Sequence, residues 1–168
     1  MLKKFSEREF LADRGILYIA FGDCFMQELR FSAESVKKYN PDLNITVFTD
    51  KPFDCKFVDN VQLMEVRHLR PKIDYIKFTP YEHTIFLDTD TIINHSLDDL
   101  FGILEKYDMA LVHDLARKRK KFKDNIPEYG TIPYSFSEIN TGVIAFKNNE
   151  RVIKLFEAWR KNFYKYYQ

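Results

Sequence analysis

Thr84-Ile85-Phe86-Leu87-Asp88-Thr89-Asp90-Thr91 is the stretch on which the reading of this chain turns. Ile85-Phe86-Leu87 is a short apolar run rich in β-formers, the pattern of a strand buried on both faces. Two carboxylates follow it with no spacer. Open α/β sheets bind their ligands just beyond the carboxyl ends of such strands. In extended backbone, residues i and i+2 point to the same side. Two like charges held that close are costly unless a cation sits between them. A hard divalent ion, Mn²⁺ or Mg²⁺, takes oxygen ligands and keeps positions open for phosphate oxygens, so Asp88 and Asp90 are the expected metal ligands. A helix-capping or solvated acid pair is the plain alternative. A D-x-D triplet arises by chance about once at this Asp content, so the weight rests on its place after a strand.

Working outward, Ile16-Leu17-Tyr18-Ile19-Ala20-Phe21 is a second buried strand, ended by Gly22-Asp23. The polar stretch from Ser6 to Arg14 reads as a short helix or arm, broken by Gly15. Cys24 to Tyr39 carries apolar residues at Phe25/Met26, Leu29, Ala33 and Val36, a helical spacing closed by Asn40-Pro41-Asp42. Ile45 to Phe48 is the next strand, so strand, helix and strand form one parallel crossover unit. Val61 to Val66 alternates like a strand. Pro71 to Phe78 reads as helix, stopped by Thr79-Pro80. Ser96 with Asp99 resembles a capping box opening a helix over Leu97 to Tyr107. Met109 to Val112 and Val143 to Phe146 are further strands. From Asn148 onward, Val152, Leu155/Phe156, Trp159 and Phe163 share a helical face. Strands alternating with helices predict an α/β sandwich with a mostly parallel sheet. Residues 115–137 read as a long surface loop holding the basic run Arg117-Lys118-Arg119-Lys120-Lys121-Phe122-Lys123, either solvated or facing an anionic ligand.

The 168 residues suit a single domain, 1–168. With 45% hydrophobic and 30% charged residues, the chain is not a disordered one. A net charge of +1 is too balanced for a protein that grips nucleic acid by its phosphates. No apolar run reaches the roughly 18 residues of a membrane span, and the start lacks a secretory pattern. Cys24 and Cys55 cannot build a disulfide framework. A reducing, cytoplasmic setting is expected.

Tyr18-Ile19-Ala20-Phe21-Gly22-Asp23, Lys72, Ile85 to Thr91, Asp98-Asp99-Leu100-Phe101 and Asn140-Thr141-Gly142-Val143 occur in that order. In combination they resemble the GT-A fold (Rossmann-like) glycosyltransferases, in particular the glycogenin-like and galactosyltransferase-like group that uses nucleotide-diphosphate sugars. The resemblance runs from about Gly15 to Phe146. It implies a three-layer GT-A sandwich that moves a hexose from a donor such as a UDP-sugar to an acceptor: glycan, lipid or protein. It implies a nucleotide pocket lined by Ala20, Phe21, Gly22 and Asp23, with Thr89 between the metal ligands Asp88 and Asp90. Lys72, sixteen residues before Asp88, matches the family's basic residue at the sugar diphosphate. Asn140 matches its Asn-Ser/Thr-Gly segment beside the sugar. Lys72 and Asn140 are therefore the expected catalytic residues. The group's later Asp-Gln segment and His-x-x-Gly-x-x-Lys metal ligand have no counterpart here; the last histidine is His113. The expectation is a domain lacking the family's carboxy-terminal part.

Two rival readings remain. A non-catalytic or incomplete domain of this fold would bind nucleotide-sugar or a partner without turnover. A haloacid dehalogenase-type phosphatase would use Asp88 as nucleophile in D-x-D-x-[TV]. Ile92 stands at that motif's last position, and the motif follows the third strong strand, not the first. Sugar nucleotidyltransferases need a glycine-rich loop after the first strand, where this chain has only Gly22.

Overall fold

The computed structural model describes residues 9–65, 70–115 and 126–166. The apolar runs become strands of one six-stranded sheet. β1 (Ala12–Ile19), β2 (Asn44–Thr49), β3 (Asn60–Leu63), β4 (Tyr81–Leu87), β5 (Met109–His113) and β6 (Ile139–Lys147) lie in the order β3-β2-β1-β4-β6-β5. β3, β2, β1 and β4 are parallel, and β6 runs against both β4 and β5. The sheet is thus mostly parallel, as expected.

Helices cover both faces, which is why the central strands are apolar without alternation. Ile16 and Tyr18 of β1 pack with Leu29, Ala33 and Val36 of α1 (Cys24–Tyr39) on one face. Phe101 and Leu104 of a later helix, Asp98–Lys106, complete that layer. Leu17, one residue along β1, points the other way. It joins Tyr75 of α2 (Lys72–Tyr75) and Val152 and Phe156 of the last helix, Glu150–Tyr166. In chain order these later helices are α3 (Asp98–Lys106) and α4 (Glu150–Tyr166). Phe156 meets Phe146 of β6 edge to face at 5.0 Å, a geometry worth about 0.5–1.5 kcal/mol beyond burial. The result is a three-layer α/β sandwich.

Several local expectations change. Gly15 is not a breaker: it lies buried inside β1, because its bare α-carbon leaves room for the Tyr81 ring. Residues 12–14 are strand, not helix, since Ala12 and Arg14 pair with Tyr81 and His83. The helix over 71–78 divides into α2 and a 3-10 turn at Ile76–Phe78. The capping box with Asp99 does not form. The Ser96 hydroxyl instead donates to Asp98 Oδ2 at 2.8 Å, and α3 starts at Asp98. The loop after β5 contains a 3-10 turn at Pro127–Thr131. The basic run 117–123 lies outside the described residues, as does the end of the predicted 61–66 strand.

Candidate active site

Because β1, β2 and β4 are parallel, their carboxyl ends fall on one edge of the sheet. Antiparallel β6 begins at that same edge. Residues far apart in sequence therefore meet there, at the usual ligand edge of such sheets.

β4 ends at Leu87, and the chain turns at once: the Thr91 N–H donates to the Asp88 carbonyl at 3.2 Å. Asp88 and Asp90 thus sit on a turn rather than in extended backbone. Asp88 is half-buried and Asp90 is exposed. The Lys72 ammonium donates to Asp88 Oδ1 at 2.6 Å and to the Thr141 carbonyl at 3.1 Å. The ammonium lies over the Phe86 ring, with Nζ 5.0 Å from the centroid. Lys72 opens α2, whose first turn follows Pro71, a residue well suited to a helix start.

A bulge brings β6 to the same point. Leu111 pairs with Ile144, yet the next residue, Val112, pairs with Asn140. Thr141, Gly142 and Val143 are looped out of the β5 ladder, and a bulge of this kind re-aims the chain beside a site. Released from β5, the Gly142 carbonyl accepts the Asp88 N–H at 2.8 Å. The Gly142 N–H donates to Asn140 Oδ1 at 2.7 Å. A β-carbon on Gly142 would stand 3.1 Å from Asn140 Oδ1 and 3.5 Å from Asp88 Oδ2. Glycine there keeps space open beside the carboxylate. Lys72, Asp88, Thr141, Gly142 and Asn140 form one hydrogen-bonded group.

The segment after β1 forms the neighbouring group. Ala20 is buried, and its N–H donates to the Phe48 carbonyl at 2.9 Å. Gly22 has φ +92°, a left-handed value that costs other residues strain. Its N–H donates to Asp50 Oδ1 at 3.0 Å. Asp23 is ion-paired with Lys51 at 2.6 Å, and the hydrogen bond that the ammonium donates to that carboxylate holds the Lys51 pKa above its ordinary value. Phe21 packs against Tyr75 of α2 with ring centroids 5.7 Å apart. The Thr89 hydroxyl is turned away from its neighbours in sequence and donates to Glu28 Oε2 on α1 at 3.2 Å. Asp50, Lys51 and Glu28 carry no motif of their own. Thr49-Asp50-Lys51-Pro52 reads only as a strand terminator, and Glu28 only as a polar helix position.

The donor chemistry suits a hard cation. Asp88 and Asp90 offer only oxygen, Gly142 leaves room at Asp88 Oδ2, and Asp90 makes no hydrogen bond or ion pair among the described residues. No group of three or more His, Cys, Asp or Glu able to hold a metal occurs among the described residues. Any ion on Asp88 and Asp90 must complete its shell with substrate oxygens and water, the habit of Mg²⁺ bound with phosphates. An apolar cavity of about 300 Å³ lies behind Thr141, between β5, β6 and α4, lined by Met109, Leu111, Ile144, Phe156 and Trp159 among others. No charged residue lines it.

No family model and no curated protein matches this sequence. Solved structures do. LgtC, a galactosyltransferase also seen with donor and acceptor sugar analogs, aligns through its active-site mutant with TM-score 0.63 and 17% identity, over 92% of this chain and 66% of that one. The glycosyltransferase GlyE of Streptococcus pneumoniae aligns with TM-score 0.60 and 15% identity, over 91% of this chain and 39% of its own. The bifunctional glycosyltransferase WbbM aligns with TM-score 0.60 and 12% identity, over 90% and 34%. This chain spans less than two thirds of the length of each. No helix among the described residues is long and apolar enough to cross a membrane. Through nine-tenths of its length, with the Asp88 turn, α2 and the β6 bulge meeting at one sheet edge, the chain has the fold of the GT-A glycosyltransferases.

Proposed function

We propose that this protein transfers a hexose from a nucleotide-diphosphate sugar, a UDP-sugar in the first instance, to an acceptor. The observation that carries this reading is the Lys72–Asp88–Thr141 group at the sheet edge of a glycosyltransferase fold. Breaking the bond between sugar and diphosphate places negative charge on the departing phosphate. An ammonium has three donors. In Lys72 one is given to Asp88 and one to Thr141, which fixes the nitrogen and leaves the third for a phosphate oxygen. A positive charge held in place before the reaction stabilises the charge that develops during it. A Mn²⁺ or Mg²⁺ ion on Asp88 and Asp90, when bound, neutralises the two phosphates and polarises them as a Lewis acid. Asn140, braced by the Gly142 N–H, holds its amide group beside the place where the sugar must lie. Ala20, Phe21, Gly22 and Asp23 take the nucleotide, with Asp50 holding the Gly22 turn in shape. A reducing, cytoplasmic setting is part of this reading.

Calorimetry with UDP tests this. Affinity is expected to fall at least about tenfold when Mn²⁺ is withheld, because diphosphate and carboxylates then repel one another. Equal affinity with and without metal refutes the reading. UDP-sugar should also be hydrolysed slowly, water taking the acceptor's place. Metal-dependent binding with no hydrolysis identifies a domain that binds without turnover. Covalent trapping of a phosphate analogue on Asp88 identifies the phosphatase instead.

Gly142→Ala places a methyl group against Asn140 Oδ1 and beside Asp88 Oδ2. Metal-dependent UDP binding should weaken about tenfold, the usual scale for disturbing groups that orient ligands. Calorimetry alongside urea unfolding checks that the loss is local to the site.

A further inference from the structure

α2 has four residues, Lys72–Tyr75, and carries opposite charges at its first and third positions. At about 100° per residue, these side chains leave the helix roughly 200° apart, on opposite sides. Lys72 faces the site. Asp74 faces α4 and is 2% exposed. Arg160 Nε donates to Asp74 Oδ1 at 2.5 Å. The Tyr164 hydroxyl, one turn further along α4, reaches Asp74 Oδ2 at 3.0 Å and Oδ1 at 3.2 Å. The Arg160 guanidinium lies over the Tyr164 ring, 4.9 Å from its centroid, so the two partners brace each other.

A buried ion pair is a poor source of stability, since removing a carboxylate from water costs about what the pair returns. What the pair adds is direction. A single helical turn does not hold itself together in water. Buried Ile73, Tyr75 and Ile76, with the Tyr75 hydroxyl donating to the Glu65 carbonyl at 2.5 Å, hold one side of α2; the side that carries Asp74 is held to α4. The Arg160 N–H and the Tyr164 hydroxyl proton, shared between the two carboxylate oxygens, fix that side in direction as well as in place. Lys72 needs that direction: its nitrogen lies over the Phe86 ring and must meet both Asp88 and Thr141.

We propose that Asp74 is a positioning residue, held by Arg160 and Tyr164 of α4, which orients α2 and so aims the Lys72 ammonium at the diphosphate site. The diphosphate part of this inference rests on the transferase reading above; the aim of Lys72 at Asp88 does not. Two measurements on the full chain separate them. The first is the side-chain ammonium signal of Lys72 by nitrogen NMR without ligand. In Asp74→Asn it is expected to move to the fast-exchanging position of solvent-exposed lysines. The second is calorimetry with UDP and Mn²⁺. Asp74→Asn should weaken binding about tenfold, yet have no further effect in a Lys72→Ala background, because it acts through Lys72. Tyr164→Phe removes only the hydroxyl and should give the same two changes, two- to threefold in affinity; it serves if Asp74→Asn does not fold. An unmoved Lys72 signal in a folded variant overturns the proposal, as do affinity losses that add in the double variant. If the wild type binds no UDP, the transferase reading fails while the Lys72 signal still decides the role of Asp74.

Discussion

Asp88→Asn is expected to abolish metal-dependent UDP binding and to lower UDP-sugar hydrolysis about a thousandfold while leaving the fold intact. The substitution keeps the shape of the side chain and removes its charge. The Asp88 N–H bond to the Gly142 carbonyl survives, because it belongs to the backbone. Two electrostatic terms disappear together: an oxygen ligand for the cation and the counter-charge that holds Lys72 at 2.6 Å. Losing one preorganised charge contact at a reacting phosphate costs about 10²–10³ in rate, and here two are coupled. Stability should change little. The side chains of Lys72 and Asp88 are 19% and 38% exposed, so solvent screens the pair. Such a pair contributes about 0–1 kcal/mol. Asp90→Asn is the useful contrast, because Asp90 is exposed and away from Lys72. It should lose metal affinity with the Lys72–Asp88 contact preserved. Calorimetry, a hydrolysis assay and urea unfolding on all three proteins give the answer. Undiminished Mn²⁺-dependent UDP binding by Asp88→Asn would remove Asp88 from the site.

The framework was legible because the physics that builds it is local. Ile16 to Ala20 and Ile85 to Leu87 are apolar without alternation, and only strands covered on both faces can afford that. The place of Asp88 followed from its strand. Other parts depend on pairings that no local pattern carries. Val143 to Phe146 marks β6, but its start at Ile139 and the bulge at 141–143 arise from competition between β4 and β5 for the same strand. The likeness of Asn140-Thr141-Gly142 to a known segment pointed at these residues; periodicity could not. No spacing in 71–78 or in the last helix marks Asp74, Arg160 or Tyr164. Their contact joins residues 86 and 90 positions apart, beyond any window in which spacing is informative. Gly15 reads as a break because glycine usually is one between polar and apolar segments. Its reason is a ring from another strand.

That ring supplies the largest expected effect on stability. A β-carbon on Gly15 would stand 2.4–2.5 Å from three ring atoms of Tyr81. The ring cannot swing away. Tyr81 is fully buried, and its hydroxyl shares a 2.6 Å hydrogen bond with Thr46 Oγ1 on β2. The side chain thus starts on β4, crosses β1 above Gly15 and ends on β2, tying three parallel strands together. Burial pushes the phenol pKa up to about 12, so the hydroxyl stays protonated and available for that bond. Gly15→Ala should therefore destabilise the protein by about 3 kcal/mol, the upper end for overpacking a closed core. Tyr81→Phe loses the shared hydrogen bond alone and should cost about 1 kcal/mol. It should not rescue Gly15→Ala, because the ring is still there. Tyr81→Leu should. With the ring gone, alanine at position 15 restricts the unfolded chain more than glycine does, and the substitution should turn neutral or stabilising by up to about 1 kcal/mol. The change of sign is the decisive result, and a double-mutant cycle followed by urea unfolding measures it. Additive effects of Gly15→Ala and Tyr81→Leu would mean that the ring does not lie over Gly15. The same cycle bears on function. β1 and β4 carry Ala20 and Asp88 at neighbouring ends, so a wedge between the strands and the ring above them should weaken UDP binding even in the fraction that stays folded.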